Sequence, residues 1–187
     1  MKIPAESPGS DEPHEECTMN TDQIRLKEIH RKSVEAYQGG CREADVLVPR
    51  VDIDFLFTFG ISPQVLLDYA EDFARSGEPD KATFVRVAEI RRNYFRGIQK
   101  GIPSFHIVRE PELPLREDEW DGIPWLPRIA KKARCFLEGT LCREVMYGCS
   151  GDRAFLRKHL LTLPGFLEKV RDSGDDNAKL LAYVRGT

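Results

Sequence analysis

A group of prolines in the middle of the chain sets the strongest limit on what this sequence can fold into. Residues 101–125 carry Pro103, Pro111, Pro114 and Pro124. Proline lacks the backbone N–H that a helix needs, and it biases the preceding residue towards extended geometry. We therefore expect an ordered, non-helical arm here, with at most one short strand and no real sheet.

Helical patterns dominate on both sides of this arm. The clearest helix follows residue 61, because Ser62 is placed to cap it, Pro63 begins it and Gly77 ends it. Apolar residues recur at helical spacing in the remaining segments. The sequence thus predicts an all-α protein of about eight helices, in two weakly related four-helix halves joined by the proline-rich arm. Further expected helix caps are Thr21 or Asp22, Asp52, and Asp175 or Asp176.

Composition divides the chain into four segments. Residues 1–20 are polar, acidic and rich in Pro and Ser, and they lack the apolar centre of a signal peptide. They predict a disordered tail. An N-terminal helical half at 21–100, the arm at 101–125 and a C-terminal helical half at 126–187 follow.

Charge, apolar content and cysteine usage argue against several kinds of partner. The 28 Lys and Arg residues against 31 Asp and Glu give a net charge of −3, whereas nucleic-acid-binding proteins usually carry a basic excess. No apolar run approaches the length of a membrane span. Five cysteines without a secretory context or a Cys-x-x-Cys pair favour a reduced, cytoplasmic protein with no structural zinc site. No cofactor-binding motif is present.

The two halves align when one is shifted by one hundred residues. Apolar core positions and a capping aspartate match, whereas the second-half turn at 147–151 has Val48, Pro49 and Val51 opposite its glycines and cysteine. A repeated helical unit explains such a match, and so does chance similarity between amphipathic segments. The aligned identities include Ile29 with Ile129, Lys32 with Lys132, Gly39 with Gly139, Asp52 with Asp152, Phe55 with Phe155, and Leu56 with Leu156.

The turn that lacks a first-half counterpart is the candidate site. Its glycines flank a cysteine at the expected start of a helix, where free amides bind phosphate or carboxylate, and three arginines are expected to converge on it. The alternative is an ordinary capped turn with solvated arginines, Arg128 pairing with Asp152 or Glu138. The predicted ligand-binding residues are Arg128, Arg143, Gly148, Cys149, Gly151, Asp152 and Arg153.

Cys149 is also a candidate nucleophile, because a thiol at a helix N-terminus is activated by the helix dipole and free amides. Such a thiol needs a base, and His159 or His106 is the candidate. Asp152 would oppose the thiolate by like charge. The alternative is an inert cysteine that fills a tight turn. Cys142, Cys149 and His159 do not have a familiar metal-ligand spacing, so no metal is predicted.

Several short motifs in the second half resemble the bacterial domain of unknown function 5069 family. They are Trp125 to Arg128, Lys132 to Arg134, Gly139 to Leu141, and Cys149 with Asp152, with Pro114 and Arg116 upstream. The resemblance covers about residues 112–187. Ser150-Gly151 departs from the Pro-Leu or similar pair that is common in the family between Cys and Asp. The resemblance implies a small helical protein and implies no particular reaction.

Two functions remain as hypotheses. In the first, the helical protein binds an anionic small molecule at the helix start formed by residues 149–152. In the second, it is a non-catalytic interaction protein whose arm and helix faces engage a protein partner. The glycine-cysteine turn favours the first, because a pure scaffold does not need to interrupt the repeat there.

Overall fold

The computed structural model describes residues 20–186, and in that part of the chain eight α-helices provide most of the regular structure. The predicted all-α fold is therefore confirmed. The predicted tail at 1–20 lies outside the described residues except for Asn20. The helices are α1 (Thr21–Gln38), α2 (Arg50–Phe57), α3 (Pro63–Ser76), α4 (Lys81–Gly97), α5 (Leu126–Glu138), α6 (Ser150–Lys158), α7 (Leu163–Ser173) and α8 (Asn177–Arg185).

The ends of the helices follow the local capping chemistry. Ser62 accepts a hydrogen bond from the Val65 amide, Pro63 begins α3 and Gly77 ends it with φ +75°, as predicted. The side chain of Asp176 caps α8. The predicted cap of α1 is wrong, because Asn20 accepts from the Asp22 amide at 3.1 Å and occupies the position assigned to Thr21 or Asp22.

The prediction that Asp52 caps α2 is also wrong. Helix α2 begins at Arg50 after Pro49, so Asp52 lies within its first turn and is 5% exposed. Its carboxylate pairs with Arg25 at 3.2 Å and Lys32 at 3.3 Å. An aspartate near a helix start usually caps it, but this one joins α1 to α2.

The proline-rich arm contains no α-helix, as predicted, but it carries two short paired strands where at most one was expected. It contains a 3₁₀ turn (Glu110–Glu112) and a hairpin of β1 (Glu119–Trp120) and β2 (Ile123–Pro124), which pair antiparallel. Val108 forms a parallel bridge with Leu141, because its amide donates to the Thr140 carbonyl at 2.7 Å. This contact fixes the arm against the loop that follows α5.

One apolar core crosses both halves of the chain. Helix α1 packs on α3 and α4, and α4 also packs on α5 and α7. Leu26, Leu66, Leu126 and Phe166 are fully buried in this cluster. Within residues 20–186 no helix is long and apolar enough to cross a membrane. The arrangement places the start of α6 beside the arm and α3.

Candidate functional site

Cys149 occupies the N-terminal cap of α6, and its side chain is half-buried and makes no capping hydrogen bond. The two glycines beside it are needed for packing. A Cβ added at Gly148, where φ is +92°, would lie 2.6 Å from Leu163 Cδ2, and one added at Gly151 would lie 2.6 Å from the Trp125 ring. Close packing therefore explains both glycines without a ligand.

Asp152 is the buried centre of this turn, with no exposed surface. Its carboxylate accepts hydrogen bonds from Lys132 Nζ at 2.5 Å, Trp125 Nε1 at 3.0 Å and the Gly148 amide at 2.9 Å. Lys132 is 3% exposed in its side chain and also donates to Cys149 Sγ at 3.3 Å. A buried charge of this kind is tolerated only when it is paired and fully hydrogen-bonded, so Asp152 is a structural acceptor.

The sequence reasoning missed Lys132 and Trp125 as members of the site. A clue was present, because Lys32 and Asp52 align with Lys132 and Asp152, and the structure pairs both sets. For Trp125 the clue was its place at the start of the family-like motifs, which also include Cys149 and Asp152. It caps α5 with φ +71°, a left-handed conformation that costs a non-glycine residue about 1–2 kcal/mol and orients the indole over α6.

Of the three predicted arginines, only Arg153 donates a hydrogen bond to the turn. Arg153 donates to Asp72 at 2.7 Å and to the Gly148 carbonyl at 2.6 Å. Arg128 pairs with Glu110 at 2.9 Å and not with either predicted partner. Arg143 is exposed and does not line the cleft beside Cys149. Each arginine is held by its own local partners or by solvent, so the basic cluster that the sequence suggested is absent from this turn.

The structure also separates Cys149 from its proposed base. His159 follows α6 at its far end, about 15 Å away at the rise of an α-helix, and its ring lies 4.6 Å from that of Phe155. Burial and the nearby Lys158 ammonium lower the pKa of His159. His106 is exposed on the arm and does not line the cleft. Neither histidine is placed to accept a proton from Cys149.

The remaining cysteines of the second half lie in a separate apolar cluster. Cys135 and Cys142 pack with Val108, Leu113 and Val145, and burial raises the pKa of both thiols. In the described part of the chain no group of three or more His, Cys, Asp or Glu side chains is arranged to hold a metal ion.

A cleft of about 250 Å³ opens beside Cys149 between α3, α5 and the arm. Lys132, Arg116 and Arg128 contribute positive charge to its wall. Five carboxylates also line the cleft, so it carries mixed charge with an acidic excess. Burial raises the pKa of one of these, Asp68, to about 7, an effect that Gln64 opposes by hydrogen bonding and that the neighbouring acids reinforce. The carboxylates are Asp68, Glu71, Asp72, Glu110 and Glu144.

Comparisons with known proteins identify no relative of this chain. No family model matches it, no curated protein matches it, and no solved structure matches it.

Proposed function

We propose that the cleft beside Cys149 binds a small molecule that carries one anionic group together with a cationic group. The observation that carries this proposal is the mixed charge of the cleft. Its lining includes the cations Lys132, Arg116 and Arg128 together with five carboxylates. A ligand with both charges can pair with both kinds of side chain, whereas a polyanion would be repelled by the five carboxylates.

The size of the cleft and the pairing of its charged side chains further restrict which ligands can bind. Its volume of about 250 Å³ is below the roughly 300 Å³ at which typical ligand pockets begin, so the ligand is small. Arg128 is already paired with Glu110, whereas Arg116 makes no salt bridge within residues 20–186 and lies 5.9 Å from the Trp125 ring. Arg116 is therefore the cation most available to an incoming carboxylate.

We propose binding and no reaction, because neither candidate histidine reaches Cys149. The thiols of Cys41, Cys135, Cys142 and Cys149 are unpaired, which supports a reducing, cytoplasmic location. The equivalent lysine–aspartate pairs of the two halves support an internal repeat. Membership of the bacterial domain of unknown function 5069 family also remains a proposal, and it rests on the motifs around Trp125 and Cys149.

The test is a binding measurement with matched probes. Aminoalkyl carboxylates are titrated by calorimetry against the same carboxylates without the amino group and against inorganic phosphate. We expect any binding of the carboxylates without the amino group to be independent of Arg116, and the amino compounds to bind in this cleft. Arg116→Gln should weaken that binding, whereas Arg143→Gln, which changes an exposed arginine outside the cleft, should not. No binding of the amino compounds, or equal loss in both variants, would contradict the proposal.

A second candidate function is self-association through the arm. Phe105 is 93% exposed, and Ile98 and Ile102 are each 66% exposed, so an apolar stretch of chain faces solvent. Its occupant on this hypothesis is a second copy of the chain. Sedimentation velocity over a range of concentrations should show association that Phe105→Ser reduces and that Leu160→Ser, at an equally exposed position outside the arm, does not. A monomer at all concentrations would exclude it.

A further inference from the structure

Arg91 is a buried cation in α4, far in sequence from the turn at Cys149. Only 2% of its surface is exposed. Its guanidinium lies between the glycines that follow α2 and α5: a Cβ added at Gly60 would be 2.8 Å from Arg91 Cζ, and one added at Gly139 would be 2.7 Å from Nη2. Glycine at these two positions, each with φ +69°, therefore makes room for the arginine.

The charge of Arg91 has no acidic partner. No carboxylate forms a salt bridge with it in the described part of the chain, and its one hydrogen bond there runs from Nη1 to Gln99 Oε1 at 2.7 Å. Its Nε is buried without a hydrogen-bond partner. Gln99 is itself held by donating to the Glu138 carbonyl at 2.9 Å. Unpaired buried arginines are rare, because a desolvated charge is costly without a counterion.

Burial lowers the pKa of Arg91 to about 10, and the nearby Tyr94 opposes this effect. The guanidinium therefore stays protonated at neutral pH. The ring of Phe95 lies 5.1 Å from the guanidinium carbon, which provides some cation–π stabilisation. Neither the ring nor the neutral Gln99 amide cancels a full positive charge.

A cavity of about 280 Å³ adjoins this arginine. Apolar side chains from α2, α3, α4 and α5 form most of its wall, and Pro103 and Ser104 of the arm complete it. It shares no lining residue with the cleft beside Cys149. The main apolar lining residues are Phe57, Ile61, Val65, Phe95, Phe136 and Leu141.

We propose that this cavity is a second binding site, which takes a monocarboxylate with a small apolar body. The carboxylate would pair with the unsatisfied donors of Arg91, because guanidinium and carboxylate form strong, charge-assisted hydrogen bonds. The apolar body would lie against the aromatic and aliphatic wall. A single buried arginine and an otherwise apolar lining favour one carboxylate over a phosphate or a second charge.

The experiment compares acids with their neutral analogues. Hexanoate and phenylacetate are titrated into the full chain by calorimetry, in parallel with hexanamide and phenylacetamide and with inorganic phosphate. We expect the acids to bind at least tenfold more tightly than the amides, and phosphate not to compete. An amide that binds as well as its acid, or an acid that shows no binding at millimolar concentration, overturns the proposal.

Variants identify the arginine responsible. Arg91→Met removes the charge and keeps an unbranched side chain, and it should weaken hexanoate binding at least tenfold. Arg96→Met, on the same helix but exposed, is the matched control and should not. Ser104→Trp fills the cavity wall while Arg91 stays, so it tests the site even if Arg91→Met does not fold. Retained hexanoate affinity in folded Arg91→Met, or in Ser104→Trp, overturns the proposal.

This inference does not depend on the cleft beside Cys149. Arg116→Gln, which alters that cleft, should leave hexanoate binding unchanged, and Arg91→Met should leave the binding of aminoalkyl carboxylates unchanged. The proposals for the two sites can therefore be disproved independently of each other. Loss of hexanoate binding in Arg116→Gln would place these acids in the other cleft and would overturn the assignment to Arg91.

Discussion

Lys132 matters because it is the only cation paired with Asp152 among residues 20–186. Both side chains are buried, so removing the ammonium leaves an uncompensated carboxylate in the core. We expect Lys132→Met to lower the free energy of unfolding by about 3–5 kcal/mol, measured by urea denaturation. Adding Asp152→Asn to the same chain should recover part of this loss, because no full charge then remains buried.

The first half supplies the matched control for this prediction. Lys32 pairs with Asp52, but its side chain is 39% exposed and Arg25 also holds the aspartate. Lys32→Met should therefore cost no more than about 1 kcal/mol, as for a solvent-screened pair. If both lysine variants lost equal stability, burial would not be what distinguishes the two pairs.

Two ionisable residues with altered pKa values should give opposite pH dependences of stability. Burial lowers the pKa of His30 to about 4. The charge of Asp80 opposes this shift, and the charge of Lys81 adds to it. Between this value and its usual 6.5, the unfolded chain binds more protons on His30 than the folded chain does. The free energy of unfolding therefore falls by up to about 3 kcal/mol as the pH is lowered through this window.

Asp68 acts in the reverse direction. Burial raises its pKa from 3.8 to about 7, so the folded chain binds more protons between these values and stability falls as the pH rises. In His30→Phe only the Asp68 effect remains, so the free energy of unfolding should decrease as the pH rises from about 4 to 7. In Asp68→Asn only the His30 effect remains, so the free energy of unfolding should increase as the pH rises to about 6.5. Urea denaturation at several pH values compares both with the parent chain. Identical pH profiles in all three proteins would refute both assignments.

At the scale of one helix, the residue that α6 can accept at position 151 is limited by the Trp125 ring, which packs on the first turn of the helix. Gly151 is helical and has the Trp125 ring where a Cβ would be, at 2.6 Å. Glycine to alanine inside a helix usually stabilises by up to about 1 kcal/mol, but overpacking here should cost about 1–3 kcal/mol. Gly97→Ala in α4, where a Cβ meets no atom within 4 Å, is the control and should be neutral or stabilising. Thermal and urea unfolding of Gly151→Ala and Gly97→Ala measure whether helix propensity or overpacking dominates at position 151.

The elements were largely predictable from sequence, and the partners of the charged side chains were not. Capping residues and prolines act over a few neighbours, so the bounds of α3 and the non-helical arm followed from local patterns. The cap prediction for Asp52 is wrong because the sequence pattern of a capping aspartate is the same as that of a buried ion-pair partner. Lys132 belongs to the repeat alignment and to one of the family-like motifs, but its contact with Asp152 depends on how α5 packs against α6. The predicted turn borders the cleft at Cys149, but of the three predicted arginines only Arg128 lines it, and the other two cations of the lining are Lys132 and Arg116.

At the scale of the whole molecule, the two halves share one apolar core. Helix α4 of the first half packs on α5 and α7 of the second, and buried residues such as Leu66 and Phe166 belong to the same cluster. Two helical units that bury their apolar faces against each other have little core of their own. We therefore expect the halves to unfold together in one cooperative transition.

The distribution of tryptophan allows a direct measurement. Both tryptophans of the chain, Trp120 and Trp125, lie in the arm. The strand that carries Trp120 packs on α5, and the Trp125 ring lies against α6. Their fluorescence therefore reports on the second half, whereas far-ultraviolet circular dichroism reports on all helices. Leu66 is fully buried in α3, and Leu66→Ala should destabilise the protein by about 2–5 kcal/mol. If the halves are coupled, this substitution shifts the fluorescence and dichroism midpoints in urea by the same amount. Halves that fold independently would leave the fluorescence midpoint unchanged, because no tryptophan lies in the half that carries the substitution.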